Sequence, residues 1–265
     1  MYYKNPITRF ILRKNFFKKV KGKLIYYRRK LRKDLFDDIQ FICQGKKIET
    51  IFDIGANIGF VTYQFQKRFP GAHIYAFEPN PEIFHKLEGS YKAEPNIHVF
   101  QIGIGDEVGT LSFNLNANTG TSSFLVSAEY HKLNQAKHLL PPIEVQVDTL
   151  DSFAARNGLD TINILKMDIE GYELKALQGA ENLLKRQAVD IIYSEVTIVP
   201  QYIGQPLFHQ ITSYLEQKDY HLFNMDSFVG QETFIRQAVL GNATYISKRH
   251  RDFLMNRYGL EKCGW

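Results

Sequence analysis

The sequence predicts an α/β protein built on a doubly wound, mostly parallel sheet, and three observations carry that prediction. Apolar runs of strand length alternate with amphipathic runs of helix length from Thr50 to Ser247. The first run, Ile51, Phe52 and Ile54, breaks into Gly55-Ala56-Asn57-Ile58-Gly59 before a helical pattern through Phe60, Val61, Phe65 and Phe69. That is a buried strand, a tight turn and a helix N-terminus. The second run, His73 to Phe77, ends in Glu78-Pro79, and the proline holds Glu78 out of helical geometry at the strand's carboxyl end.

At 265 residues the chain can bury most of its unfolded surface, in one large α/β domain with an appendage or in two small domains. Its 44% hydrophobic and 23% charged composition is that of a soluble globular protein. Cys43 and Cys263 are too few and too far apart for a disulfide framework or a zinc site, so a reducing cytoplasm is the expected compartment. The net charge of +5 conceals an asymmetry. Residues 1–33 carry 13 of the 33 Lys and Arg and no acid, which leaves 20 basic residues against 28 acidic ones elsewhere. In this arm Ile7, Phe10, Ile11, Phe17 and Val20 interleave with the charges at roughly helical spacing. Such a segment suits an anionic membrane surface or glycolipid, and equally a helix that packs its apolar face on the domain. Nucleic acid is disfavoured because the acidic body opposes it. No apolar stretch has the length of a signal-peptide core or a membrane span, so any membrane contact would be peripheral, at the inner surface.

The elements follow in order. A helical pattern over Asp34–Lys47 completes a basic N-terminal extension, 1–49, ahead of a main domain, 50–250, and a tail, 251–265. After Glu78 a helix over Glu82–Tyr91 leads to a third strand, Ile97–Ile102, and then Gly103-Ile104-Gly105-Asp106. Gly109–Asn116 and Ile143–Val147 alternate with period two and pair as an inserted β-hairpin. Between them lie the hydroxyl-rich Gly120-Thr121-Ser122-Ser123 and a surface excursion, Tyr130–Pro142, whose His131 and His138 read as solvated. A short helix over Asp148–Asn157 precedes the strand Ile162–Met167 and one long amphipathic helix through Leu174, Leu177, Ala180, Leu183 and Leu184. The strand Ile191–Val196, the helix Leu207–Lys218 and the strands Tyr220–Asn224 and Ala243–Ser247 complete the order.

Chemistry is expected at the carboxyl ends of these strands, where open parallel sheets bind ligands. Gly55, Asn57 and Gly59 form a turn whose backbone can approach a ligand closely. Asp53, just ahead of it, would repel a pyrophosphate and suits a cationic or hydrogen-bond-donating ligand. Glu78 stands 25 residues further on, about where such folds place an acid on ribose hydroxyls. Asp106 ends the third strand and can accept a bond from an adenine amino group. Together these residues point to a nucleoside-type cofactor without phosphates, and S-adenosylmethionine fits best. Lys166, Asp168 and Glu170 alternate, so on a continuing strand they share one face, and Glu195 is an acid inside an apolar run. Grouped ionisable residues are costly unless paired or functional. This set is the candidate for acid–base chemistry or a divalent metal, the metal being left unassigned.

With these residues in place the chain resembles the FkbM family of class I S-adenosylmethionine-dependent methyltransferases. The resemblance runs from about Thr50 to Glu195. It rests on Phe52-Asp53-Ile54-Gly55-Ala56-Asn57-Ile58-Gly59, Phe77-Glu78-Pro79, Val147-Asp148-Thr149-Leu150-Asp151 and Leu165-Lys166-Met167-Asp168-Ile169-Glu170-Gly171-Tyr172-Glu173. It implies a Rossmann-like class I methyltransferase fold and O-methylation of a hydroxyl, often on sugars or polyketides, in members associated with glycan biosynthesis. The implied mechanism is in-line transfer of a methyl group with a carboxylate base. Asp168 is the expected base or acceptor-orienting group, with Glu170 and Glu195 in support and Lys166 counted in the same catalytic set.

Three other readings were weighed against it. A nicotinamide-dependent oxidoreductase would want Gly-x-Gly-x-x-Gly at the first turn, a spacing absent here. A nucleic-acid base methyltransferase would carry an Asn/Asp-Pro-Pro-aromatic motif where this chain has Asp168-Ile169-Glu170-Gly171. A non-catalytic membrane-docking module would leave a vestigial cofactor site, which the intact Asp53 and Glu78 oppose. The acceptor and the oligomeric state are left open by these residues.

Overall fold

Short apolar strands held between helices give the chain its architecture, seen in a computed structural model that describes residues 35–128, 139–230 and 238–259. The basic arm, His131, His138 and the end of the tail lie outside the described residues. In order the elements are α1 (Leu35–Ile42), β1 (Thr50–Ile54), α2 (Phe60–Arg68), β2 (His73–Phe77), α3 (Pro81–Tyr91), β3 (Ile97–Phe100), β4 (Gly103–Ile104) and β5 (Gly109–Phe113). After a turn of 3₁₀ helix at Thr119–Thr121 come β6 (Ile143–Asp148), α4 (Leu150–Arg156), β7 (Ile162–Met167), α5 (Glu173–Gln178) and α6 (Glu181–Lys185). The chain continues through β8 (Val189–Thr197), α7 (Phe208–Glu216), β9 (Tyr220–Gly230), β10 (Ala238–Ser247) and α8 (Lys248–Tyr258). No helix among the described residues is long and apolar enough to cross a membrane.

The chain divides into two compact units. The larger, Gly45–Arg251, holds a seven-stranded sheet in the order β3-β2-β1-β7-β8-β10-β9. Neighbours from β3 to β8 run parallel, and β10 runs antiparallel to both β8 and β9. Sequence order reverses between β1 and β7, which makes their carboxyl ends the switch point where ligands bind in such sheets. β1 and β7 are buried throughout, as expected of central strands covered on both faces. Phe52, Phe77, Phe100 and Phe153 pack there with several edge-to-face contacts, among them Phe77 on Phe153 at 4.9 Å.

The insert forms a second sheet in the order β4-β6-β5. β5 and β6 pair antiparallel, as the alternation predicts, while the two-residue β4 adds a parallel partner. The long helix expected after β7 is instead two helices broken at Gly179-Ala180. A Cβ at Gly179 would stand 2.0 Å from the Gly105 carbonyl oxygen, so the backbones touch there. Asp151 then accepts from the amides of Asn182 and Leu183 and caps the restarted helix.

The amino ends of the strands are pinned by polar residues. Asn163 Oδ1 accepts from the amides of Glu49 and Thr50, and its Nδ2 donates to Asp190 at 2.8 Å. Asp190, at the start of β8, also pairs with Lys46 at 2.6 Å and Arg249 at 2.8 Å. In the smaller unit, α1 and the end of α8, Phe41 stacks on Tyr258 at 6.0 Å.

Candidate active site

The turn after β1 is shaped by backbone contact. Gly55 and Ala56 both donate to the Phe77 carbonyl at 3.0 Å, which ties the turn to the end of β2. Gly55 takes φ 73, and a Cβ on it would stand 2.0 Å from the Asp168 carbonyl oxygen. Glycine is therefore required twice, for the backbone angle and for the space. Asn57 also sits in the left-handed region at φ 49, its side chain accepting from the Ile58 amide. Gly59, at φ 90, packs against Leu87 and Tyr91 of α3, so it shapes the entry to α2 and does not face a ligand.

Glu78 stands where the sequence places it. Its carboxylate accepts from the Asn57 amide at 3.0 Å and the Asn80 amide at 2.9 Å. Burial pushes its pKa up, against those two amides and Lys166, which lower it. Two amide bonds leave further lone pairs on its oxygens for a ligand's hydroxyls.

A cleft of about 480 Å³, open to solvent, lies between this turn and the insert. Gly55, Asn57, Glu78, Asp168 and Glu170 line it. Apolar walls come from Phe77, Ile102, Ile104, Phe113 and Phe124, and Thr119, Gly120 and Ser122 bring the hydroxyl-rich loop to its rim. No Lys or Arg is among the described lining residues. Apolar walls, a carboxylate with free lone pairs and no cation fit a nucleoside cofactor without phosphates.

Three of the expected residues stand behind the cleft, where structure accounts for them. Asp53 is fully buried, takes a 2.6 Å bond from the Thr62 hydroxyl and lies 3.0 Å from Lys166 Nζ. Lys166 donates to the Gly55 carbonyl at 2.9 Å. Burial opposes its charge, but Asp53 and Asp168 hold its pKa above the usual lysine value. It is a buried cation that ties the turn to β7, which is a poor state for a base. Asp106 pairs with Lys175 at 2.5 Å, away from the cleft.

Beyond Lys166 the expected alternation fails, because β7 ends at Met167 and Glu170 turns back at φ 55. The turn nevertheless gathers the acids. Asp168 is half exposed in the cleft, 4.0 Å from Lys166. Carboxylate oxygens of Asp168, Glu170 and Glu195 lie within 4.8 Å of one another. Burial first, then the charge of Asp168, pushes Glu170 up to about 8 and Glu195 up to about 10. Glu173 accepts from the Ile169 and Gly171 amides, and burial raises it to about 7.

Some of the surroundings escaped the sequence reading. Thr62 shares α2 with a helical apolar pattern and gave no signal of its partnership with Asp53. Tyr202 is buried and donates to Glu170 at 2.7 Å, a partnership that leaves no mark in the sequence. Glu173 was visible only as part of a motif.

The strand order, the glycine turn and the acid after β2 define the class: a Rossmann-like class I S-adenosylmethionine-dependent methyltransferase. Residues 53–222 match the methyltransferase FkbM domain, and the chain belongs to that family. It is 26% identical over 165 residues to the 2-O-methyltransferase NoeI of Sinorhizobium fredii, covering 58% of this chain and 66% of that protein. Against the hexuronic acid methyltransferase AglP of Haloferax volcanii it is 25% identical over 154 residues, 58% of each. The 31-O-demethyl-FK506 methyltransferase FkbM of Streptomyces tacrolimicus is 28% identical over 178 residues, 57% of this chain and 68% of that one. The chain thus spans less than two thirds of the first two relatives. Among solved structures, an rRNA methylase from Streptococcus thermophilus aligns with TM-score 0.46 at 9% identity, over 82% of this chain and 98% of that one.

Proposed function

We propose that this protein transfers a methyl group from S-adenosylmethionine to a hydroxyl of a sugar, glycan or related natural product, with Asp168 taking the hydroxyl proton. The observation that carries this reading is contact between the two halves of the site. The glycine turn lies against the backbone of Asp168, and one cleft is lined by both. The names of the relatives, which act on a 2-O position, a hexuronic acid and a 31-O position, support an oxygen acceptor.

S-adenosylmethionine, when bound, supplies an electrophilic methyl group. Glu78 would accept from ribose hydroxyls, and the apolar wall of Phe77, Ile102 and Ile104 would flank the base. Asn57 and the turn at Gly55 would carry the rest of the cofactor. Asp53 and Lys166 act one layer back by fixing that turn. Glu170 and Glu195, pushed up to about 8 and about 10, hold protons near neutrality and so are not the base. That leaves the half-exposed Asp168, a role typically worth ~10²–10⁴-fold in rate. A second reading adds a divalent cation, because the clustered oxygens of Asp168, Glu170 and Glu195 are hard donors of the kind Mg²⁺ takes. The basic arm would bring the enzyme to an anionic membrane or glycolipid acceptor, on the strength of its 13 cationic residues.

Calorimetric titration with S-adenosylmethionine and S-adenosylhomocysteine, with and without Mg²⁺ and against NAD, tests this. Micromolar binding is expected, with NAD silent. Glu78→Ala should weaken it by ~10–100-fold, the worth of one or two charge-assisted hydrogen bonds. Binding of NAD alone, or of nothing, would overturn the reading.

A further inference from the structure

Tyr202 has an unusual place for a tyrosine on a loop. It is 2% exposed, and its hydroxyl donates to Glu170 Oε2 at 2.7 Å, with the Thr121 carbonyl at 3.3 Å. Its burial excludes it from serving as a stacking platform for a sugar. The backbone around it is equally tied. Ser127 pairs with Tyr202, the Ala128 amide donates to the Gln201 carbonyl, and the Ile203 amide donates to the Val126 carbonyl. Gln205 Oε1 accepts from the amides of Gln201 and Tyr202, and its Nε2 donates to Thr197 at the end of β8. Three segments therefore meet at this hydroxyl: the loop after β5, the turn after β7 and the connection after β8.

The residue it holds is strained. Glu170 takes φ 55, a region disfavoured for a residue with a side chain and found where surrounding structure enforces it. The Ser123 hydroxyl holds its carbonyl at 2.7 Å and Tyr202 holds its carboxyl. Strained, cross-braced acids of this kind concentrate at working sites.

We propose that Tyr202 is a positioning residue, which fixes the Glu170 carboxyl beside Asp168, the residue proposed to take the acceptor's proton. The role rests on the methyltransferase reading for its effect on turnover, but not for its effect on Glu170. The groups facing Glu170 are Asp168, Glu173, Glu195 and Tyr202. Of these, Tyr202 is the hydrogen-bond donor to its carboxyl, at 2.7 Å.

The test is a crystal structure of Tyr202→Phe beside that of the parent protein, both with S-adenosylhomocysteine. In the variant the Glu170 carboxyl should leave its place beside Asp168. S-adenosylhomocysteine affinity should stay within twofold, since Tyr202 does not line the cleft. In a methyl-transfer assay Tyr202→Phe should lower kcat more than it raises KM, and should cost little further in the Glu170→Gln background. A Glu170 carboxyl that stays in place in Tyr202→Phe, additive losses in the double variant, or a Tyr202→Phe protein that unfolds while Glu170→Gln stays folded would each overturn the proposal. If no acceptor is ever methylated, the crystal structure still decides whether Tyr202 fixes Glu170 while the functional reading fails separately.

Discussion

The two ends of β8 carry acids five residues apart in opposite conditions. Asp190 opens the strand, 1% exposed, and burial alone would push it up. Lys46 and Asn163 overcome that and hold its pKa below the ordinary 3.8. Glu195 lies near the other end among Asp168, Glu170 and Glu173, and the same burial pushes it up to about 10. Burial is common to both; partners decide the outcome. At the amino end Asp190 meets two cations and a side-chain amide, which is the arrangement of a scaffold. At the carboxyl end acids face acids, and that unresolved repulsion marks where a proton or a cation can be handled.

The contrast is sharpened most by Asp168→Asn. If the carboxyl end holds the base, kcat should fall by ~10²–10⁴-fold with S-adenosylhomocysteine affinity unchanged. Single-turnover methyl transfer beside calorimetry would check this, and an unchanged rate would move the base elsewhere. Next comes Asp190→Ala at the scaffold end. It leaves Lys46, Arg249 and Asn163 without their shared acceptor and should cost about 3 kcal/mol. In a chain of this size that lowers Tm by ~6–12 °C, with turnover per folded molecule preserved.

A third effect is one of pH. Glu195 titrates near 4.5 when unfolded and about 10 when folded. Between those values the folded protein binds the extra proton, so stability is full at low pH and is lost as pH rises. Asp190, shifted downward, works in reverse and withdraws its stabilisation only as pH falls below 3.8. Glu195→Gln should therefore match the parent Tm near pH ~5 and exceed it near pH ~9. A scan of Tm against pH gives the answer, and equal slopes in the two proteins would break the comparison.

Much of the cofactor half was legible in the chain. Gly55 and Glu78 could be found because a glycine turn and an acid before proline leave local marks in sequence, and both line the cleft. The acid cluster at the carboxyl ends was legible as a list of acids and illegible as an arrangement. Lys166 reads as part of the reactive set, yet its charge is absorbed by Asp53 and the Gly55 carbonyl. Asp53 and Asp106 sit at strand ends like ligand-facing acids but turn to Lys166 and Lys175. Nothing local reveals such pairings, because the partners are 113 and 69 residues away in sequence. The broken helix at Gly179 has the same origin, a contact with the distant Gly105 carbonyl.

By itself the sequence determined the alternating α/β order and the strand–turn–helix that opens it. Those follow from apolar periodicity and from glycine and proline, whose effects reach only a few residues. Tertiary structure alone decided which acids are neutralised and which remain crowded, and that Tyr202 braces Glu170. A carboxyl group's charge state depends on burial and on neighbours within a few ångströms, and folding supplies both.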